Sequence, residues 1–109
     1  MANEHFLAQL WATIESRKAG TGPETSYTRQ LLDNPAKARK KVVEEAHEVV
    51  EAHQALLLGH DTKDHLAAEA ADLVYHLFVV LAAADVTPSE VYAVLEGRHL
   101  RPHAPKPPG

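Results

Sequence analysis

The segment that most constrains this chain runs from Ala67 to Ala84 and is apolar over most of its length. After residue 72 its apolar side chains point to nearly all sides, which predicts a helix covered by other helices or by a second subunit. Three polar residues interrupt the run, namely Glu69, Asp72 and His76. They make its centre too polar for a membrane span. Their spacing of i, i+3 and i+7 places them along one face of the helix.

The residues before this run also carry helical signals. Apolar side chains at spacings of three and four predict a first helix over residues 4–18, and the glycines and proline of residues 19–24 predict a loop. The pair Asn34-Pro35 is typical of a helix cap followed by the first helical position. This second helix should run to about Leu58, because a glycine follows it.

Two further caps divide the rest of the chain. Asp61 is expected to cap a third helix, which contains the apolar run and continues to about Ala84. The segment Thr87-Pro88-Ser89-Glu90 has the capping-box pattern and should open a short fourth helix to about Gly97. No stretch of useful length alternates with a period of two, as a strand would. We therefore predict an all-α helical bundle of about four helices.

The helical signals stop near residue 100, so we predict one domain over residues 1–100 and a disordered proline-rich tail over residues 101–109. A chain of 109 residues has room for one core. It contains no cysteine, which excludes disulfides and thiolate metal sites. The N-terminus lacks the basic and then apolar order of a secretory signal. We expect a cytoplasmic protein.

Two pairs of carboxylates raise an electrostatic problem. Glu69 and Asp72 lie on the apolar helix, and Glu45 and Glu48 form a second i, i+3 pair on the preceding helix, with Glu44 beside them. Two like charges ~4 Å apart repel by ~4 kcal/mol at an effective dielectric of ~20. The whole stability of a domain is only about 5–15 kcal/mol. A solvated helix face would explain the second pair taken alone, but the helix of the first pair has little exposed surface.

A hard divalent cation would resolve this repulsion. Lys41, one turn before Glu45, can offset one negative charge but not four. Mg²⁺ prefers oxygen ligands, is held by a few carboxylates, and completes its shell with water and substrate phosphates. The net charge of −4 argues against nonspecific nucleic-acid binding. Imidazole is a poor ligand for Mg²⁺, so we expect His76 to position a ligand by a hydrogen bond to a neighbouring carboxylate.

Two pairs of motifs carry a family resemblance. The segment Lys41-Val-Val-Glu-Glu-Ala-His-Glu48 and the later Glu69-Ala-Ala-Asp-Leu-Val-Tyr-His76 resemble the E-x-x-E and E-x-x-D pairs of the all-α nucleotide pyrophosphohydrolase superfamily. Within it, Pro23-Glu-Thr-Ser-Tyr-Thr28 and Asp72-Leu-Val-Tyr-His76 are similar to the phosphoribosyl-ATP pyrophosphohydrolase family. The resemblance covers about residues 7–98. The loop before Pro23 is one residue longer than is usual, with Gly22 where the family tends to have Asp.

The resemblance implies a stand-alone, Mg²⁺-dependent enzyme that hydrolyses phosphoribosyl-ATP to phosphoribosyl-AMP and pyrophosphate, the second step of histidine biosynthesis. It implies that Glu45, Glu48, Glu69 and Asp72 hold Mg²⁺, and that Glu44 orients or deprotonates the attacking water. Basic and hydroxyl side chains would contact the phosphates or ribose of the nucleotide: Arg17, Lys18, Ser26, Tyr27, Thr28 and Lys41. Neither a nucleic acid nor a membrane is expected as a partner.

Three alternatives stay open on the sequence alone. A housecleaning pyrophosphohydrolase of noncanonical nucleoside triphosphates would share the metal site and differ in its base pocket. The spacings Glu44-x-x-His47 and Glu96-x-x-His99 fit a carboxylate-bridged di-iron bundle. A metal-free helical interaction module is the third. We also expect a homodimer, because the third helix is too apolar for a four-helix domain of this size to cover.

Overall fold

The computed structural model describes residues 5–99 as five helices joined by short loops. These are α1 (Phe6–Lys18), α2 (Tyr27–Leu32), α3 (Pro35–Leu57), α4 (Lys63–Ala83) and α5 (Pro88–His99). No strand occurs between residues 5 and 99, so the all-α prediction is confirmed. The predicted disordered tail over residues 101–109 lies outside the described residues, as does the predicted helix start at residue 4.

Helices α3 and α4 form an antiparallel hairpin, which is the centre of the fold. The chain reverses at Gly59, whose φ of +79° is a left-handed conformation that a side chain would strain. The cap of α4 is Thr62, whose Oγ1 accepts a hydrogen bond from the backbone N–H of His65 at 3.1 Å. The prediction that Asp61 caps this helix is therefore wrong, because the hydroxyl one residue later has the better position.

The other two predicted helix starts are confirmed. Asn34 caps α3, with its Oδ1 accepting from the backbone N–H of Lys37 at 3.3 Å. At α5, Thr87 Oγ1 accepts from the N–H of Glu90 at 3.2 Å, and the Glu90 carboxylate accepts from the N–H of Thr87 at 2.7 Å. These reciprocal bonds are those of a capping box. Helix α5 continues to His99, beyond the predicted end.

The short helix α2 was not predicted, which is why the structure has five helices instead of about four. It has six residues, fewer than a periodic apolar pattern needs to become visible. Ser26 caps it by accepting from the N–H of Arg29 at 3.3 Å. Packing against its neighbours holds so short a helix in place, since isolated helices of this length are unstable. Leu31 is its buried anchor.

The hydrophobic core lies at one end of the hairpin. Its fully or almost fully buried members come from four helices and are Ile14, Leu31, Ala38, Phe78, Val79 and Ala82. The rings of Trp11 and Phe78 meet edge to face with their centroids 5.9 Å apart. This places the core against the start of α3 and the end of α4. The carboxylate pairs occupy the other half of the same two helices.

Helix α4 is only partly covered within one chain. It packs against α1, α2 and α3, as expected of a central helix. However, Val74 remains 36% exposed and Leu77 41% exposed. By length and composition, α4 is also the one helix among residues 5–99 that could cross a membrane, a test that the core helix of a soluble protein passes equally well.

Candidate metal centre

Three carboxylates converge where the two long helices face each other. Glu45 and Glu48 come from α3 and Glu69 comes from α4, and one oxygen of each lies within 4.8 Å of the others. The antiparallel hairpin explains this, because the i, i+3 pair of one helix meets the i, i+3 pair of the other. Among residues 5–99 this is the only group of three or more acidic, histidine or cysteine side chains with such spacing.

The convergence leaves two carboxylate oxygens without a hydrogen-bond partner among the described residues. Glu45 is only 6% exposed. Glu45 Oε2 and Glu69 Oε2 are both buried and accept no hydrogen bond from the described residues. Burial raises the pKa of Glu45, and the neighbouring carboxyls of Glu48 and Asp72 raise it further. The Glu48 carboxyl also raises the pKa of Glu69, to which burial adds.

This donor set suits a hard cation. Buried carboxylate oxygens without partners cost free energy unless something positive binds them. Oxygen ligands from a few carboxylates, with one side open to water and phosphate, match the preferences of Mg²⁺. The arrangement therefore fits the ion that the family resemblance implies.

Asp72 stands beside this group and not within it. Its side chain is exposed, and its carboxyl is close enough to Glu45 to raise the pKa of that residue. It lies one turn along α4 from Glu69. Asp72 therefore lies at the exposed edge of the carboxylate group.

Lys41 and Glu44 lie at the rim of the centre on α3. The Lys41 Nζ is 3.4 Å from Glu44 Oε2 and 3.8 Å from Glu45 Oε1. The hydrogen bond with Glu44 is the main cause of the raised pKa of Lys41. The candidate base and the candidate phosphate-binding cation are thus neighbours, about half and one third exposed respectively.

His76 makes its hydrogen bonds to groups other than carboxylates, although it is close enough to Glu45 to act on the pKa of that residue. Its Nδ1–H donates to the backbone carbonyl of Asp72 at 2.8 Å. Because a carbonyl can only accept, this bond makes Nε2 the unprotonated nitrogen of the neutral ring, and it accepts from the Tyr27 hydroxyl at 2.9 Å. The sequence suggested a carboxylate as the partner of His76, and the structure gives it a backbone carbonyl and a tyrosine instead.

The segment around α2 is attached to α4 through its hydroxyl groups. Tyr27 stacks on Tyr75 with ring centroids 6.2 Å apart, and the hydroxyls of Thr28 and Tyr75 share a hydrogen bond. Ser26 caps α2. Two residues predicted to bind substrate, Tyr27 and Thr28, therefore also position α2 beside α4, and a third, Ser26, starts the helix.

Arg17 and Lys18 end α1 but point to different places. A Cβ on Gly22 would lie 2.6 Å from the guanidinium carbon of Arg17, so the guanidinium lies directly against this loop glycine. Gly22 has a φ of +90°, which also favours glycine. Lys18 Nζ instead donates to the backbone carbonyl of Ala82 at 2.7 Å and pairs with Asp85. It closes the C-terminal end of α4, a structural role that the sequence did not suggest.

We expect Lys18→Met to lower the free energy of unfolding by about 1 kcal/mol, the usual net contribution of a hydrogen bond. The substitution removes one of the two donors to the Ala82 carbonyl, which keeps the backbone N–H of Asp85, and it removes the ion pair of the Asp85 carboxylate. Urea unfolding of the full chain measures this, with Lys40→Met on the exposed side of α3 as the control. Unchanged stability together with lost turnover would return Lys18 to the set of substrate contacts.

Two residues near the centre were missed by the sequence reasoning. The His65 ring lies between two carboxylates, with Nδ1 2.6 Å from Asp61 Oδ2 and Nε2 3.0 Å from Glu69 Oε1. The hydrogen bond raises the pKa of His65 and lowers that of Asp61. All three line an open cavity of about 200 Å³ with Glu48. Asp61, His65 and Glu69 are spaced at i, i+4 and i+8, which could have predicted that they line one face of a helix. The interpretation of Asp61 as a helix cap concealed this pattern.

The chain matches a known family over most of its length. The family described as phosphoribosyl-ATP pyrophosphohydrolase matches residues 7–99. A protein of Cereibacter sphaeroides called phosphoribosyl-ATP pyrophosphatase is 49% identical, with 84% of each chain covered. A Caulobacter vibrioides protein of the same name is 49% identical over 84% of this chain and 80% of the relative. One from a Jannaschia species is 46% identical over 85% and 86%.

Proposed function

We propose, since this chain belongs to the phosphoribosyl-ATP pyrophosphohydrolase family, that it hydrolyses phosphoribosyl-ATP to phosphoribosyl-AMP and pyrophosphate with the help of Mg²⁺. The reaction adds water across a phosphoric anhydride, and the products are a monophosphate and pyrophosphate. A cytoplasmic location and the absence of a nucleic-acid partner, both expected from the sequence, belong to the same proposal.

One observation supports the metal-dependent mechanism most strongly. Glu45 and Glu69 each have a buried oxygen with no hydrogen-bond partner among the described residues, and both belong to the carboxylate group with Glu48. A site that served only for packing would leave this charge uncompensated. We infer that Glu45, Glu48, Glu69 and Asp72 hold Mg²⁺. When bound, the ion would neutralise phosphate oxygens and stabilise the charge that develops on the leaving pyrophosphate.

The residues at the rim have distinct tasks in this mechanism. Glu44 accepts the proton of the attacking water or orients it, because it is the half-exposed carboxylate next to the centre that is not needed as a ligand. Lys41 contacts a phosphate oxygen and exchanges its bonds to Glu44 and Glu45 for it. Both lie on α3, a rigid element of 23 residues.

Recognition of the rest of the nucleotide belongs to α1 and α2. Tyr27 and Thr28 place their hydroxyls against the acidic face of α4 through His76 and Tyr75. Arg17, at the loop before α2, supplies a cation for the ribose phosphate. Ser26 contributes through its cap, because it fixes where α2 begins.

The activity is tested by incubating the purified full chain with phosphoribosyl-ATP and Mg²⁺ and following pyrophosphate release. Stoichiometric formation of phosphoribosyl-AMP is the expected result. Release of single phosphates, or no reaction with excess Mg²⁺, would contradict the proposal.

We also propose that the working form is a homodimer. Apolar side chains on three helices line one open groove of about 310 Å³, and these include Leu7, Val74, Leu77, Phe78, Leu81 and Tyr92. Several of them are exposed, among them Leu77 at 41% and Tyr92 at 44%. A contiguous apolar groove of this kind is typical of an interface. A second copy offers the same apolar surface in return, as a two-fold interface requires.

Light scattering coupled to size-exclusion chromatography at micromolar concentration is expected to give about twice the 11.9 kDa mass of one chain. The variant Leu77→Lys should shift the population to monomer, because it places a charge in the apolar groove. Gln54→Lys, at an exposed position of α3, is the matched control and should remain dimeric. A wild-type monomer at this concentration would contradict the proposed dimer.

A further inference from the structure

We propose that His65 is a positioning residue: held by Asp61, it fixes the Glu69 carboxylate so that one oxygen faces the cation. The inference rests on the proposed metal centre and adds two residues to it that neither of the acidic motifs contains. It concerns how a ligand is oriented before the ion arrives.

The three side chains form a continuous line at the start of α4. Asp61 is itself fixed, because its Oδ1 accepts from the backbone N–H of Thr62 at 2.8 Å. Its Oδ2 then holds the Nδ1 side of the His65 ring at 2.6 Å. The opposite nitrogen, Nε2, lies 3.0 Å from Glu69 Oε1. Both nitrogens of the ring are therefore committed, and the ring cannot turn without breaking a bond.

This line determines which oxygen of Glu69 is available. The bond to His65 occupies Oε1, whereas Oε2 is buried and has no hydrogen-bond partner among the described residues. Glu69 also belongs to the group whose oxygens lie within 4.8 Å of one another. A carboxylate held at one oxygen rotates less freely and presents the other oxygen as a single ligand.

A purely structural role in starting α4 does not account for the ring. The backbone N–H of His65 is already satisfied by Thr62 Oγ1 at 3.1 Å, and any residue other than proline at position 65 could make that bond. The contacts of the His65 ring with Asp61 and Glu69 are therefore not required for the helix cap. Hydrogen-bond partners of metal ligands orient them, and their loss typically lowers metal affinity by about 10–100-fold.

The proposal is tested with Mn²⁺ as the probe ion, by measuring its dissociation constant for the full chain from the free-ion signal in electron paramagnetic resonance. His65→Leu removes both ring bonds and should weaken Mn²⁺ binding by about 10–100-fold. His65→Gln keeps an amide N–H near the position of Nε2 and should restore most of the affinity. His65→Asn reaches only toward Asp61 and should remain weak. His53→Leu, at an exposed histidine of α3, is the control and should bind like the wild type.

If the leucine variant fails to fold, the proposal is still tested by the Mn²⁺ affinities of the glutamine and asparagine variants. These two side chains carry the same polar amide group and differ only in length. Equal affinities for these two variants would overturn the proposal and leave the metal centre standing. A wild type that binds no Mn²⁺ would overturn both the proposed centre and this inference. In the supporting case, the asparagine variant also needs more Mg²⁺ for half-maximal turnover, while kcat at saturating Mg²⁺ changes little.

Discussion

Glu48→Gln is expected to lower kcat/KM for phosphoribosyl-ATP by about 10²–10³-fold or more, the effect of removing one group that stabilises transition-state charge. The amide has the shape of the carboxylate but lacks the charge that a hard cation requires. The same change should stabilise the metal-free protein, because Glu48 raises the pKa values of both Glu45 and Glu69 and so repels their charged forms. Lost activity combined with gained stability is a result that a packing defect cannot give.

Two measurements separate these effects. Thermal unfolding without metal should show a higher Tm for Glu48→Gln than for the wild type, and addition of Mg²⁺ should raise the Tm of the wild type alone. Asp72→Asn should likewise lose turnover, with a smaller gain in stability because its side chain is exposed. Glu96→Gln, at an exposed position of α5, is the control and should keep wild-type turnover. Near wild-type turnover of Asp72→Asn at low Mg²⁺ would remove Asp72 from the ligands.

Wild-type selectivity for phosphoribosyl-ATP over ATP is expected to be large, up to about 10⁴–10⁵ in kcat/KM. The favoured substrate carries a second ribose phosphate, and groups placed for it would be left unpaired by ATP. Such unpaired polar groups are what allow a site to reject an analogue that lacks the recognised group. A housecleaning enzyme for nucleoside triphosphates would show no such preference.

We expect Arg17 to contribute most to this selectivity. It lies against the loop glycine Gly22 and is not committed to the end of α4, as Lys18 is. Arg17→Gln should reduce hydrolysis of phosphoribosyl-ATP and hardly change any residual hydrolysis of ATP, with Arg39→Gln on the exposed side of α3 as the control. Steady-state kinetics with both nucleotides measures the ratio. Comparable kcat/KM values for the two in the wild type would contradict the assigned substrate.

Several features of the fold that depend on neighbouring residues could be predicted from the sequence. Asn34 and the Thr87–Glu90 box start helices where the structure has them, because a cap needs only residues within one turn. The same local logic failed at Asp61, where two adjacent residues can each cap and the backbone geometry decides between them. It also missed α2, whose six residues are fixed by contacts with α1, α3 and α4.

The sequence predicted the convergence of Glu45, Glu48 and Glu69, but it did not predict what surrounds them. Spacing alone places Glu45 and Glu69 on helix faces, whereas the burial of Glu45 depends on how closely α4 approaches. The role of Lys18 depends on Ala82, far away in the sequence, so no local pattern could show it. His76 was placed correctly on the acidic face of α4, but its partner Tyr27 comes from the helix that was missed.

The core and the carboxylates share two helices without sharing residues. Val79 in the core and Glu69 in the centre are separated by about 15 Å along α4, at a rise of about 1.5 Å per residue. At that separation the energetic effects of substitutions usually add. Substitutions at the core end of the hairpin can therefore change the stability of the protein with little effect on the carboxylate end. Stability and chemistry can therefore evolve separately, although both depend on the same two helices.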